Sequence, residues 1–99
     1  MIVEFRAELW LWDARPDEGW TFVSLPEDES EEIREMTGGL DRRGFGAVRV
    51  EARIGTTTWR TSIFPDGKSG CYVLPVKKAV RKAQKIEAGD AADVTVEVL

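Results

Sequence analysis

Residues 70–90 read GCYVLPVKKAVRKAQKIEAGD. Cys71–Leu74 is a short run of strand-forming residues, and it stops at Leu74-Pro75. Pro75 suits the first position of a helix, where its missing N–H would have no partner anyway. Val76, Ala79, Val80 and Ala83 then recur at i, i+3, i+4 and i+7, a narrow apolar stripe. Lys77, Lys78, Arg81, Lys82 and Lys85 cover the rest of the wheel, and Gly89-Asp90 closes the segment. The spacing predicts a strand, a basic helix over 75–85 and a turn. Beyond the turn, Val94, Val96 and Val98 alternate with Asp93, Thr95 and Glu97, the period of a half-buried strand.

Upstream, strand patterns dominate. In residues 2–12 (IVEFRAELWLW), Val3, Phe5, Ala7, Leu9 and Leu11 share one face, and Glu4, Arg6, Glu8, Trp10 and Trp12 share the other. Trp20–Leu25 reads as a second strand, antiparallel to the first. Pro26 ends it, and Glu27–Met36 forms a short acidic helix with Ile33 and Met36 as its apolar stripe. Acids in a first turn suit the positive end of a helix dipole. Val48–Ile54 and Thr57–Phe64 are two more strands, joined at Gly55-Thr56. Pro65-Asp66-Gly67-Lys68 is a turn. Trp20 and Trp59 are expected in the core.

Two stretches echo each other. WTFVSLPEDESEEI (20–33) and CYVLPVKKAV (71–80) both run from an aromatic residue and Val to Leu-Pro and then a charged helix. The pattern is that of an internally duplicated half-barrel. With about six strands, two short helices and short connections, the fold class is mainly β. Closure into a small barrel would remove exposed sheet edges.

Composition narrows the function. Ninety-nine residues make a single domain, 1–99, with one core. The net charge is −4 but uneven: residues 1–50 hold 6 basic and 12 acidic side chains, and residues 51–99 hold 8 and 6. The halves therefore carry −6 and +2. Overall acidity disfavours strong nonspecific nucleic-acid binding. No apolar run approaches the roughly 20 residues that span a bilayer, and no signal-peptide pattern opens the chain, so a cytoplasmic location is expected. With no His and one Cys, Cys71, the common zinc sites and Ser-His or Cys-His nucleophile pairs have no ligands or bases. No catalytic residue, metal or cofactor is expected, and neither is an enzyme.

The strand Trp20-x-Phe22-Val23-x-Leu25-Pro26, the strand Val48–Ile54, the run from Gly70 through Tyr72, Leu74-Pro75-Val76-Lys77-Lys78-Ala79-Val80-Arg81-Lys82-Ala83, and Gly89-Asp90 together resemble the bacterial domain-of-unknown-function family 1905. The resemblance covers nearly the whole chain. It implies a double-split β-barrel, related in fold to swapped-hairpin transcription factors of the AbrB, MazE and MraZ type. It implies no activity. Asp66, Gly70, Val73, Leu74-Pro75, Arg81 and Gly89-Asp90 also follow the AbrB-type order, but Cys71 stands where those DNA binders usually place an Arg.

Three functions follow as expectations. The first is a non-catalytic binding or interaction module, with a protein partner or a second copy of the chain. The second is AbrB-like DNA binding or regulation through the basic helix, using Lys77, Lys78, Arg81, Lys82 and Lys85 with Arg42 and Arg43 of the Gly38–Gly46 loop; nucleic acid is the less favoured partner. The third is a small-molecule site on an aromatic surface at Trp10 and Trp12. Against the phosphate reading, the basic helix could instead pair with the acids of 27–35.

Overall fold

The alternating runs of the sequence all become strands. The computed structural model describes residues 1–12, 19–37 and 46–99. Its elements are β1 Ile2–Glu8, β2 Trp10–Leu11, β3 Thr21–Ser24, α1 Glu27–Thr37, β4 Val48–Ile54, β5 Thr57–Pro65, β6 Tyr72–Pro75, α2 Lys78–Gln84 and β7 Ala91–Val98. All pairings are antiparallel, in the order β1-β7-β4-β5-β6-β3-β2. Because β1 and β2 are one run interrupted at Leu9, the two ends of this order meet and the sheet nearly closes into a barrel.

Two strands are each divided between neighbours. The N-terminal run pairs with β7 up to Glu8 and with β3 from Trp10. β5 pairs with β4 over Thr57–Ile63 and with β6 at Phe64 and Pro65. Leu9 is the crossing point of the first: its N–H donates to the Asp90 carbonyl and its own carbonyl accepts from Gly89, both at 2.8 Å. That crossing turns an expected six strands into seven.

The registers are two-fold symmetric. Ser24 faces Val73 across the β3–β6 pair, and Ala52 faces Val96 across the β4–β7 pair. A rotation exchanging the members of both pairs carries β3 onto β6, β4 onto β7 and β1 onto β5, and every pairing maps onto another. The Leu-Pro echo in the sequence is this symmetry seen in one dimension. Leu25 and Leu74, its equivalent residues, are both buried in the core.

The inward faces of the strands supply that core: Val3, Leu9, Val23, Val50, Ala52, Trp59, Ile63, Leu74, Val94 and Val96 belong to one buried cluster. The β4–β5 turn requires Gly55, which has φ +60° and would drive a Cβ to within 2.1 Å of the Gln84 side chain. Gln84 in turn donates to the Thr57 hydroxyl at 2.8 Å, fixing α2 to the start of β5.

Local packing differs from the sequence reading at five places. Pro75 lies in β6 opposite Phe22, not in a helix, and α2 starts only at Lys78. With the helix starting later, its contact with the barrel is narrow: Val76 and Val80 are buried, whereas Ala79 and Ala83 are exposed. Leu11 is 40% exposed, because the strand has changed sheets at Leu9 and no longer presents the Val3 face inward. Met36 is also exposed. Ser30, which the expected stripe of Ile33 and Met36 leaves out, is instead the residue buried beside Ile33 against the barrel, with its hydroxyl accepting from the buried Tyr72 N–H at 3.0 Å.

Candidate functional site

The outer face of the β5–β6–β3–β2 sheet carries most of the unburied aromatic side chains. Thr21, Val23 and Leu25 point inward, so alternation sends Trp20, Phe22 and Ser24 outward. Trp10 stands opposite Phe22, and Phe22 opposite Pro75. One row along, Ser24 faces Val73, and Val73 faces Phe64. Beyond the paired residues, the Trp12 N–H donates to the Trp20 carbonyl at 2.8 Å, extending the β2–β3 ladder by one step.

These rings are ordered by their neighbours. Trp10 stacks on Phe22 and Trp12 on Trp20, each pair with ring centroids 5.2 Å apart and planes within 22°. The Trp10 indole N–H donates to the Ser24 hydroxyl at 3.0 Å, which fixes its rotamer. Between and beside the stacked pairs lies an open groove of about 660 Å³, floored by Phe22, Val73 and Pro75 and reaching Phe64 on one side and Trp12 and Trp20 on the other.

The two ends of the groove differ in charge. At the end of β6 the Val76 N–H donates to the Thr21 carbonyl at 2.9 Å, which sets Lys77 alongside Trp20 in the extended register. Lys77, Lys78 and Arg81 border the groove there. The Arg81 guanidinium is partly committed: it donates to the Val76 carbonyl at 3.1 Å and to the Gly19 carbonyl at 3.2 Å, pinning α2 to the approach to β3. At the start of β6 sits Asp66. Its carboxylate accepts from the Ser69 hydroxyl at 2.9 Å and the Lys68 N–H at 3.2 Å. Those bonds, the Ser69 one foremost, hold the Asp66 carboxyl below its ordinary range, so it stays anionic at neutral pH.

The structure therefore joins two sets of residues that the sequence kept apart. Trp10 and Trp12 share one groove with Lys77, Lys78 and Arg81, whereas Lys82 and Lys85 lie farther along α2, outside it. Arg42 and Arg43 fall outside the described residues. Trp20, expected in the core, is 48% exposed, because β3 faces inward through Thr21 and Val23 and Trp20 is out of phase with them. Trp59 is buried as expected. The period-two pattern of Trp20–Leu25 already held the signal for Trp20 and Phe22. Nothing in the sequence pointed to Phe64 or Pro75, which reach the groove only through strand pairing.

The acidic and basic helices do not neutralise each other within the chain: no ion pair among the described residues joins α1 to α2. Their anchors explain the separation. α1 is tied to the start of β6 through Ser30, and α2 to the approach to β3 through Arg81. β3 and β6 are antiparallel, so these starts lie at opposite ends of the pair.

The family profile of the Domain of unknown function (DUF1905) matches residues 5–96. The chain belongs to the DUF1905 family. No curated protein matches it. The DUF1905 match includes all the strands that build the groove and the helix that borders it, so the site lies within the family domain and not in an appendage. No helix among the described residues is long and apolar enough to cross a membrane.

Proposed function

We propose that this DUF1905 domain is a non-catalytic binding module whose contact surface is the aromatic groove. The observation that carries the reading is the placement of five aromatic side chains, Trp10, Trp12, Trp20, Phe22 and Phe64, on one outward sheet face around a single concavity. Trp20 and Phe64 keep 48% and 40% of their surface in water. Burying a side chain of that size in the core is worth about 1.5–3 kcal/mol, so leaving several outside in one patch is a cost that binding offsets. The groove walls hold rings with fixed rotamers, which lose little freedom when a ligand enters.

Indole N–H resonances test this directly. Titration with the neutral probe 2-naphthylmethanol is expected to shift the signals of Trp10, Trp12 and Trp20 and to leave that of Trp59, which lies in the core away from the groove, unmoved. No shift at any of the three would overturn the reading.

A second reading, binding of duplex DNA through α2, rests on the exposure of Lys77, Lys78, Lys82 and Lys85 on one short basic segment. Fluorescence anisotropy with a duplex across a salt series checks it. Binding at low salt that weakens steeply with added salt, and is lost in Lys82→Glu/Lys85→Glu, is the expected signature. No binding at low salt ends it.

A further inference from the structure

We propose that the groove takes a planar aromatic group carrying an anionic substituent, with the ring on the Trp12–Trp20 side and the anion at Lys77 and Lys78. This rests on the groove being a binding site. It adds the chemical class of the occupant and its direction.

Three observations carry it. First, the walls are flat. The two stacked pairs set their planes within 22° of each other inside each pair, a surface that suits another ring better than a flexible aliphatic chain. Second, the cations stand beside the rings. The hydrogen bond from Val76 to Thr21 continues the β3–β6 register to Trp20 and Lys77, so ring and charge are neighbours on one face. Lys78 follows at the first position of α2. Third, the charge is one-sided. Among the described residues, the acid that borders the groove is Asp66, which sits at the far end of β6 and is held by the Ser69 hydroxyl and the Lys68 N–H. A ligand with a carboxylate or phosphate therefore meets cations in one orientation and an anion in the other. Among the described residues, no acid lines the tryptophan end of the groove to favour a cationic ligand there.

One chemistry here has two sources. A free aromatic acid presents a ring and an anion, and so do the base and phosphate of a nucleic-acid single strand, whose bases stack on aromatic side chains while cations follow the backbone. The experiment distinguishes them.

The intact chain is titrated with 2-naphthoate, 2-naphthylmethylammonium and 2-naphthylmethanol, following the indole N–H signals. The naphthoate is expected to bind about fivefold more tightly than the ammonium at low salt, the size of preference that two exposed cations give. That preference is expected to shrink with added salt and to vanish in Lys77→Gln/Lys78→Gln. The variant is expected to keep its affinity for 2-naphthylmethanol and its melting temperature, since neither lysine is buried. Arg81 is not used for the test, because its bonds to Val76 and Gly19 give it a structural role.

Equal binding of the two charged probes, or a preference for the ammonium, overturns the proposal while leaving the groove a binding site. Silence from all three probes overturns both readings. A ten-nucleotide thymidine strand supplies the last arm. If it shifts the same three indoles more tightly than the naphthoate and loses that binding in the double variant, the ring and anion are those of a single strand. If it shifts none while the naphthoate binds, they are those of a free aromatic acid. Either result supports the proposed chemistry.

Discussion

The two halves of the barrel share a frame and differ in what they display. Each has a short central strand, a Leu-Pro step and a helix, and each helix reaches across to the opposite half. Arg81 of α2 donates to the carbonyl of Gly19, two residues before β3. Arg34 of α1 donates to the carbonyl of Gly70, two residues before β6, with its guanidinium 5.7 Å above the Tyr72 ring. Gly19 and Gly70 both have positive φ, which turns each chain sharply into its strand. The clasp is thus duplicated. The charges are not: α1 opens on Glu27, Asp28 and Glu29, whereas α2 has no acid in its first turn and Arg81 and Lys82 in its last. Nor are the aromatics, since Trp10, Trp12, Trp20 and Phe22 all come from the first half. What the halves share holds the fold, and what they do not share marks the groove.

The strongest test of the shared frame is its core. Leu25→Ala and Leu74→Ala remove equivalent, fully buried side chains and are each expected to cost about 2–5 kcal/mol in urea unfolding. Values within about 1 kcal/mol of each other would show that the two halves bear the load equally. A variant costing under 1 kcal/mol would break the equivalence.

The helix anchors come next, and here the halves should separate. Ser30→Ala leaves the buried Tyr72 N–H without its acceptor, an expected loss of about 1–3 kcal/mol. α2 has no matching serine, so that loss measures how much more firmly α1 is seated. Of the two clasps, Arg81→Ala is expected to cost about 1–2 kcal/mol, since its side chain is half-buried and makes two backbone bonds. Arg34→Ala, on an exposed side chain, is expected to cost less than about 1 kcal/mol. The reverse order in thermal melts would mean that the first half, not the second, depends on its clasp.

The smallest effect concerns the turn before β6. The Asp66 pKa is lowered in the folded state relative to its unfolded value of about 3.9, so its contribution is fully present above about pH 5 and is lost as pH falls through the folded pKa. Asp66→Asn should flatten the acid limb of a plot of Tm against pH between about 2 and 6 by lowering Tm slightly on the neutral side, where the contribution is present, and leaving the acid end almost unchanged. An unchanged acid limb would show that the Ser69 and Lys68 bonds do not distinguish folded from unfolded chain.

Much of this was legible in the sequence, for reasons that particular residues make plain. Strand periodicity is local, so Val48–Ile54 and Val94–Val98 declared themselves, and the Leu-Pro echo announced the two-fold symmetry. The helix that the spacing predicts over 75–85 is shorter in the structure because Pro75 satisfies two rules at once. It can open a helix, and it can also end a strand whose N–H is not needed, and only the pairing with Phe22 decided between them. Leu11 and Trp20 depart from a single alternation because the N-terminal strand changes sheets at Leu9 and Trp20 lies out of phase with the inward Thr21 and Val23. The role of Ser30 is not legible in the sequence, because nothing in α1 itself says that a backbone N–H 42 residues later needs an acceptor.

By itself the sequence determined the barrel class, the inward faces of its strands, the duplicated Leu-Pro units and the opposite charges of the two helices. These follow from periodicity and composition, which are properties of neighbours along the chain. The tertiary structure alone decided that the N-terminal run and β5 are each divided between two partners, that the helices sit at opposite ends of the β3–β6 pair, and that Trp12, Trp20 and Lys77 meet on one face. Those depend on the register between strands far apart in sequence, which only the closing of the barrel fixes.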